Sequence, residues 1–399
     1  MHAPNIYRLS SGDYTLIKGD AIVILTNNER QVGSKTRTTA LACLIAVAFL
    51  VIAFTFPSGA CAYTTAQLTE INNDAAFICA SQLTSGTYSG MIAMTTYANS
   101  GGSLWFCGYF ANYAALGLLR AYQATGNTTY LTAVTNYIAQ YENLMNTNGT
   151  VDDWGGTWAN PTNDGTMDST DAYAGTFLML CYAYYQVTGN NTWLSANYSY
   201  FQMAYNAMML TWNSDGLTWA LPTYDIKYLE DNLEVREGLR AIKAIATALG
   251  KTSDANTYNS KLTTELSGLQ GMYSSTDKYF GWYKGTSTVQ YDWLAYANST
   301  SYAGQANAFA LAYLLKPGNT TCQNLMSSIW SSFGNQGDYF EFAALYKFGN
   351  SNASAVHNSM VLTYVEDYGD DIRCVTAGGA NPDYDTFIYY TEEDPLPTL

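Results

Sequence analysis

Beyond residue 62 the apolar positions recur at helical spacing. Tyr173, Phe177, Leu180, Cys181 and Tyr184 fall at i, i+4, i+7, i+8 and i+11, a stripe on one helix face. Leu233, Leu239, Ile242 and Ile245 continue the pattern, as do Phe309, Ala312 and Leu315. The spacing predicts helices near 66–83, 104–125, 128–146, 169–188, 191–210, 230–249, 252–268, 301–316, 320–332, 338–348 and 351–365. Several stop at a glycine and restart at once: YQATGNTTYL (Gly126), YQVTGNNTWL (Gly189), ATALGKTSDA (Gly250), LLKPGNTTCQ (Gly318) and YKFGNSNASA (Gly349). A glycine just past the last turn closes a helix in the left-handed conformation, and the Asn, Thr or Ser that follows caps the next one. These glycines are 63, 61, 68 and 31 residues apart. The shortest interval holds two short helices and a tight turn; the other three carry roughly 30 more residues, which must be loop. Tight turn at one end and long loop at the other predicts an all-α fold, an (α/α)6 toroid of helical hairpins over 63–390 with its long loops on one face. An open solenoid of hairpins shares the same period. Residues 391–399 read as an acidic tail.

The first sixty residues follow another pattern. Ala40 to Phe56 is an uncharged apolar run preceded by Lys35 and Arg37 and followed by Pro57, Gly59 and the small triplet Ala60-Cys61-Ala62. Basic, apolar and small-residue regions in that order make 38–62 a secretory signal with cleavage after Ala62. The competing reading is an uncleaved membrane anchor through 40–56, barely long enough for a bilayer. Residues 1–37 are a polar tail too long for a signal's leading region, and the sequence points to a start near Val32, with 1–31 an extension of the gene model. Both readings put the bulk of the chain outside the cell, secreted or at the cell surface. Sequons at Asn127, Asn148, Asn190, Asn197, Asn298, Asn319 and Asn352 agree with export and glycosylation.

Composition narrows the chemistry. Charged residues are 12% of the chain and the formal net charge is −15, from 17 basic and 32 acidic side chains. Five of the basic and three of the acidic residues precede Tyr63, which leaves −17 on the remainder. So acidic a chain disfavours nucleic acid, which needs a basic face. The 2 histidines, His2 and His357, cannot supply a multi-His zinc site, and no triad with a spare histidine can be built. No phosphate-binding glycine motif is present, so neither metal nor cofactor is expected. The cysteines left after cleavage (Cys79, Cys107, Cys181, Cys322 and Cys374) have no CxxC spacing, and their odd number leaves at least one thiol free. A Cys79–Cys107 bridge is one open pairing among several.

The long loops hold the unusual residues. Loops 84–103, 145–167, 211–229, 270–300 and 363–387 lie on the same side of a ring of hairpins, each leading to the start of an inner helix. Of 9 tryptophans, Trp105, Trp154, Trp158, Trp212, Trp219, Trp282 and Trp293 lie in or beside them. Flat indoles at one mouth suit stacking on the apolar C–H faces of sugar rings, although loops packed on each other as a second core would use them too. Acids collect at the same end. DGTMDSTDAYAG carries Asp164, Asp168 and Asp171 where an inner helix begins, with Asp168 or Ser169 as its N-cap. YLEDNLEVREGLR carries Glu230, Asp231, Glu234 and Glu237 on another; QYDWLAYA adds Asp292, and GDYFEF adds Asp338 and Glu341. A first-turn charge cluster offset by Arg236 and Arg240 is the structural alternative.

The segments DGTMDSTDAYAGTFLMLCYAYYQVTGN, YLEDNLEVREGLRAIKAIATALG and QYDWLAYA with the helix after Ala303 resemble the acid-rich inner helices of the six-hairpin glycosidases, the glucoamylase-like superfamily. The resemblance spans roughly 66–390. It implies an (α/α)6 toroid whose active site lies at the loop mouth and which acts on a polysaccharide with inversion.

Clustered acids with aromatic walls serve glycoside hydrolysis, in which one carboxyl must stay protonated and a second ionised. The leading expectation is a secreted or surface glycoside hydrolase, inverting, acting on a neutral or basic polysaccharide or oligosaccharide. Asp171 and Glu234 are the expected reacting pair. Asp168, Asp231 and Asp292 would hold sugar hydroxyls or water, and Trp154, Trp158, Trp219, Trp282 and Trp293 would form subsites. Two rivals stand beside it. A polysaccharide lyase or uronate epimerase would use a Tyr base with Lys227, Arg236, Lys284 or Arg373, and a non-catalytic glycan-binding envelope protein would keep the tryptophans alone.

Overall fold

The structure, a computed structural model, describes residues 63–291 and 302–314, isolated positions between 324 and 365, and the backbone of 6–8 and 15–17. Contacts divide the chain into two units, Met1–Ala60 and Cys61–Leu399. In the first, β1 (Ile6–Arg8) and β2 (Thr15–Ile17) pair antiparallel, Ile6 opposite Ile17. Residues 40–56 lie outside the described ones. Among the described residues no helix is long and apolar enough to cross a membrane.

The second unit is all-α, a toroid of helical hairpins. Its described helices are α1 (Thr65–Ala80), α2 (Tyr97–Ser100), α3 (Gly108–Thr125), α4 (Thr128–Leu144), α5 (Thr170–Thr188), α6 (Asn191–Ala196), α7 (Tyr198–Met209), α8 (Leu229–Ala248), α9 (Thr252–Gln270) and α10 (Tyr302–Tyr313). Inner helices pack in succession, α3 on α5, α5 on α8 and α8 on α10, while α4, α7 and α9 each fold back on their partner. The expected helices 320–332, 338–348 and 351–365 and the tail 391–399 fall largely or wholly outside the described residues.

Local chemistry accounts for the turns. Gly126, Gly189 and Gly250 have φ of 71°, 62° and 69°, the left-handed region closed to most side chains. Asn127 and Asn190 accept hydrogen bonds from the amides of Thr129 and Trp193, capping the returning helices. After Gly250 the expected side-chain cap is absent: Lys251 occupies the cap position of α9 without such a bond. The helix expected over 191–210 is interrupted at Asn197, the shared boundary of α6 and α7. The helix expected from 104 begins only at Gly108, because Phe106 is drawn into a β-bridge with Trp154.

Inner helices are buried on most sides, and α5 contributes Phe177, Leu178 and Leu180 at 0% exposure, each worth about 1.5–3 kcal/mol of burial. Gly175 of α5 and Gly238 of α8 meet at the helix crossing. A Cβ added to Gly238 would stand 2.6 Å from Gly175 Cα, and one added to Gly175 would stand 2.7 Å from the Glu234 carbonyl oxygen. Only hydrogen fits there, so the two backbones touch.

The long loops are ordered by short strands that carry too few residues to show a period. In the second loop β3 (Trp154–Thr157) and β4 (Asn160–Asn163) form a hairpin, to which Ser103 and Phe106 of the first loop are bridged. Thr170 N–H donates to Ala220 O of the third loop at 2.7 Å. In the third and fourth loops β5 (Lys227–Tyr228), β8 (Tyr283–Lys284) and β9 (Val289–Gln290) form one small sheet, and β6 (Tyr273–Ser274) pairs with β7 (Tyr279–Phe280). Asp215 accepts from both Lys227 and Lys284 at 2.8 Å, joining those loops electrostatically. Two buried asparagines pin loop backbone to inner helices. Asn232 on α8 accepts from Thr218 N–H at 2.8 Å and donates to its carbonyl at 3.2 Å, and Asn307 on α10 does the same with Phe280 at 2.9 Å each.

Candidate functional site

The site forms where α5 and α8 begin. Ser169 is the N-cap of α5, its hydroxyl accepting from Ala172 N–H at 3.2 Å. This decides between the two capping candidates and leaves Asp168, one residue earlier, exposed. Asp171 and Glu234 each lie one turn before the Gly175–Gly238 contact, so the close crossing brings their two helix segments together.

Burial grades the acids. Asp171 and Glu234 are both 0% exposed, Asp231 is half-buried and Asp168 exposed. Ser169 Oγ donates to Asp171 Oδ1 at 2.6 Å and lies 3.4 Å from Asp231 Oδ2, so one hydroxyl sits between two carboxyls. Glu234 Oε1 accepts from Tyr109 at 2.7 Å and from Tyr113 at 2.5 Å, and the Tyr113 oxygen shares a further hydrogen bond with Tyr313 at 2.7 Å. Limited solvation, then the carboxyls of Asp171, Glu234, Glu230 and Asp168, hold Asp231 well above the ordinary carboxylate range. Burial likewise raises Asp171, against the hydrogen bond from Ser169.

A further acid stands beside this group. Asp153 accepts from Tyr173 O–H at 3.0 and 3.3 Å, and the same phenol lies 3.0 Å from Cys107 Sγ. Burial and the charges of Asp168 and Asp164 push Asp153 up to about 6, with the bonds from Tyr173 and Cys107 acting in the other direction. Cys79, Cys107 and Cys181 are free thiols, so the Cys79–Cys107 pairing is not made.

The expected aromatic residues divide into two groups. Trp282 stacks on Tyr228 at 6.2 Å and 30°, and its carbonyl accepts the Leu229 amide at the start of α8. Tyr228 itself is raised by burial, by its hydrogen bond with Tyr224 and by the charges of Asp231 and Asp168, which places its phenol beside those acids. Trp154 and Trp158 belong to the hairpin of the second loop. Trp154 is only 9% exposed and packs on Tyr88 at 4.8 Å; Trp158 is half-buried, edge-on to Tyr97 at 5.9 Å. Trp219 is half-buried in the third loop. Asp292 and Trp293 lie outside the described residues, as do Asp338, Glu341 and Arg373. Tyr109, Tyr113, Tyr313 and Asp153 went unread in the sequence, and Tyr173 was read only as part of an apolar helix face. The one-turn spacing of Tyr109 and Tyr113, and the tandem Asp152-Asp153 before Trp154, are the signals that could have found three of them.

Among the described residues the cations near the mouth are engaged. Lys227 and Lys284 share Asp215, Arg236 bonds Glu265 at 2.8 Å inside the protein, and Arg240 lies 3.3 Å from Glu237. Among the described residues no cluster of His, Cys, Asp and Glu is arranged to hold a metal ion.

No family model matches the sequence, and neither does any curated protein. Solved structures do match. The chain is similar to a glycosidase variant in complex with glucose (12% identity, TM-score 0.55, covering 79% of this chain and 98% of that one). It is also similar to the wild-type glycosidase (11%, 0.54, again 79% and 98%). A third similar structure is an inactive variant of an alpha-1,6-mannanase of Salegentibacter sp. HEL1_6 in complex with alpha-1,6-mannotetrose (10%, 0.49, 79% and 99%). The likeness to the glycosidase structures shows a shared fold, an all-α arrangement of helical hairpins.

Proposed function

We propose that the protein is a glycoside hydrolase acting with inversion on a neutral or basic glycan, exported or held at the cell surface. One observation carries the reading: the carboxyls of Asp171, Asp231 and Glu234 on two adjacent inner helices, with that of Asp168 just before α5, form a cluster graded from fully buried to exposed. Hydrolysis of a glycosidic bond needs a protonated carboxyl and an ionised one side by side, and crowded acids in unequal surroundings supply both. The expected pair, Asp171 and Glu234, has no exposed surface, whereas Asp231 and Asp168 reach solvent. In our reading Asp231 donates its proton to the glycosidic oxygen and Asp168 takes a proton from the attacking water. Asp171 and Glu234 stand behind them, and Trp282 with Tyr228 offers a stacking surface beside them. The sequence signs of export, the segment 38–62 and the sequons, support the location.

The uronate-directed alternative draws no support from those of its cations that lie among the described residues. Lys227 and Lys284 are neutralised by Asp215, and Arg236 is buried against Glu265.

The test is reducing-end release from a panel of neutral and amino polysaccharides, with proton NMR of the newly formed anomeric centre. Asp231→Asn should lower turnover by about 10³-fold or more, as loss of a general acid does at the upper end. A product of retained configuration would remove inversion, and an Asp231→Asn variant of wild-type rate would remove the proposed donor.

A further inference from the structure

Glu234 is completely enclosed, yet it is the most deliberately held carboxyl of the cluster. Three inner helices converge on it: α8 carries it, α3 supplies Tyr109 and Tyr113, and α10 supplies Tyr313 behind Tyr113. It lies three residues after Asp231 on α8, so the two side chains share one face, a single turn apart. At 0% exposure it cannot touch a sugar. Its backbone is held as firmly, since its carbonyl oxygen is the atom against which Gly175 of α5 is packed.

We propose that Glu234 is a positioning residue: a carboxylate fixed by Tyr109 and Tyr113 behind Asp231, whose charge keeps the proton on Asp231 until the glycosidic oxygen takes it. The inference rests on the reading of Asp231 as donor. Through one turnover the Asp231 proton passes to the leaving oxygen as the C–O bond breaks. Water adds to the anomeric carbon and gives its proton to Asp168, and exchange with solvent then takes that proton from Asp168 and returns one to Asp231. Glu234 neither gains nor loses an atom. The groups facing Asp231 are consistent with a site that retains a proton. From α5 and its approach come Asp168, Ser169 and Asp171; from α8 and its approach come Tyr228, Glu230 and Glu234. Tyr109 and Tyr113 from α3 and Tyr313 from α10 lie behind Glu234. The arginines of α8, Arg236 and Arg240, are engaged by Glu265 and Glu237, and Glu265 belongs to α9.

The experiment is Glu234→Gln in the full chain, which keeps the shape and the oxygen that the tyrosines bind but removes the charge. The basic limb of the pH–rate profile, which reports loss of the donor proton, should move to lower pH by about one unit, an effect expected of one like charge removed at close range. Turnover above that limb should fall about tenfold with KM unchanged. Carboxyl NMR titration of the substrate-free protein, with the Asp231 signal assigned by its absence in Asp231→Asn, should show the same downward shift. Tyr109→Phe is the second variant. It keeps the Glu234 charge but loosens it, and should lower kcat several-fold without moving KM. A Glu234→Gln variant with lowered kcat, unmoved basic limb and unchanged Asp231 titration would overturn the proposal. So would one of wild-type profile. If no glycan is cleaved but the titration shift is found, the coupling of Glu234 to Asp231 stands and the hydrolase reading is what fails.

Discussion

Replacing Gly238 with alanine tests the helix crossing on which the site depends. A mid-helix Gly→Ala change ordinarily stabilises by about 0.5–1 kcal/mol, because it removes backbone freedom from the unfolded chain. Here the added methyl would stand 2.6 Å from Gly175 Cα, whereas ordinary contact begins at 3.4 Å, so α5 and α8 must part by roughly 0.8 Å. Forcing a methyl into a filled crossing costs about 1–3 kcal/mol. The sign therefore reverses, and the variant should be less stable by about 1–2 kcal/mol after the gain in helix preference is offset. Urea denaturation reads this directly, as a lowered midpoint with unchanged slope. Turnover should suffer more than stability, because a displacement of about 1 Å at reacting groups costs on the order of 10²-fold. Gly175→Ala should behave alike, since its methyl would meet the Glu234 carbonyl at 2.7 Å. A Gly238→Ala protein more stable than wild type would show that the backbones do not touch, and the account of how Asp171 and Glu234 come together would fall with it.

Other consequences are open to measurement. Asp153 is raised to about 6 and Glu142 to about 8, chiefly by burial, and Asp171 shifts in the same direction, so the folded chain holds protons that the unfolded chain releases. That contribution is complete below the ordinary values of 3.8 and 4.5 and is lost as pH rises through 6 and 8. Asp215, which is lowered, acts the opposite way only around and below 3.8. Urea midpoints should therefore fall between pH 5 and pH 8, and a rise over that range would contradict the burial of these acids. Arg236→Met should destabilise by about 3–5 kcal/mol by leaving Glu265 buried without its partner, and Arg236→Met/Glu265→Met should recover most of that in the same assay. Asn232→Leu should cost about 2–4 kcal/mol, since the Thr218 amide and carbonyl would both lose their partner. Hydrogen exchange at Thr218 should accelerate in that variant.

The helices were legible because each carries its own punctuation. Gly126 and Gly189, followed by Asn127 and Asn190, mark turns through local backbone chemistry, and the stripe from Tyr173 to Tyr184 needs no knowledge of distant residues. Loop order was hidden for the opposite reason. Strands of two residues such as Lys227–Tyr228 have no alternation to read, and the asparagine pins at Asn232 and Asn307 depend on backbone far along the chain. Acid clustering was visible at Asp168, Asp171, Asp231 and Glu234, since helix starts gather them in sequence. What sequence could not rank was their burial, which follows from the glycine crossing and from tyrosines on α3 and α10. Gly175 and Gly238 carry no mark in the sequence of the role they play, because what excludes a side chain there is the backbone of the facing helix.

The tight glycine turns have a consequence for decoration of the surface. Asn127 and Asn190 stand at the C-terminal ends of α3 and α5, whereas Asp171 stands at the N-terminal end of α5. Nineteen residues of helix make up α5, which at 1.5 Å per residue is about 28 Å. Oligosaccharides attached at those two asparagines would coat the pole remote from the carboxyls and shield the hairpin bends from proteases.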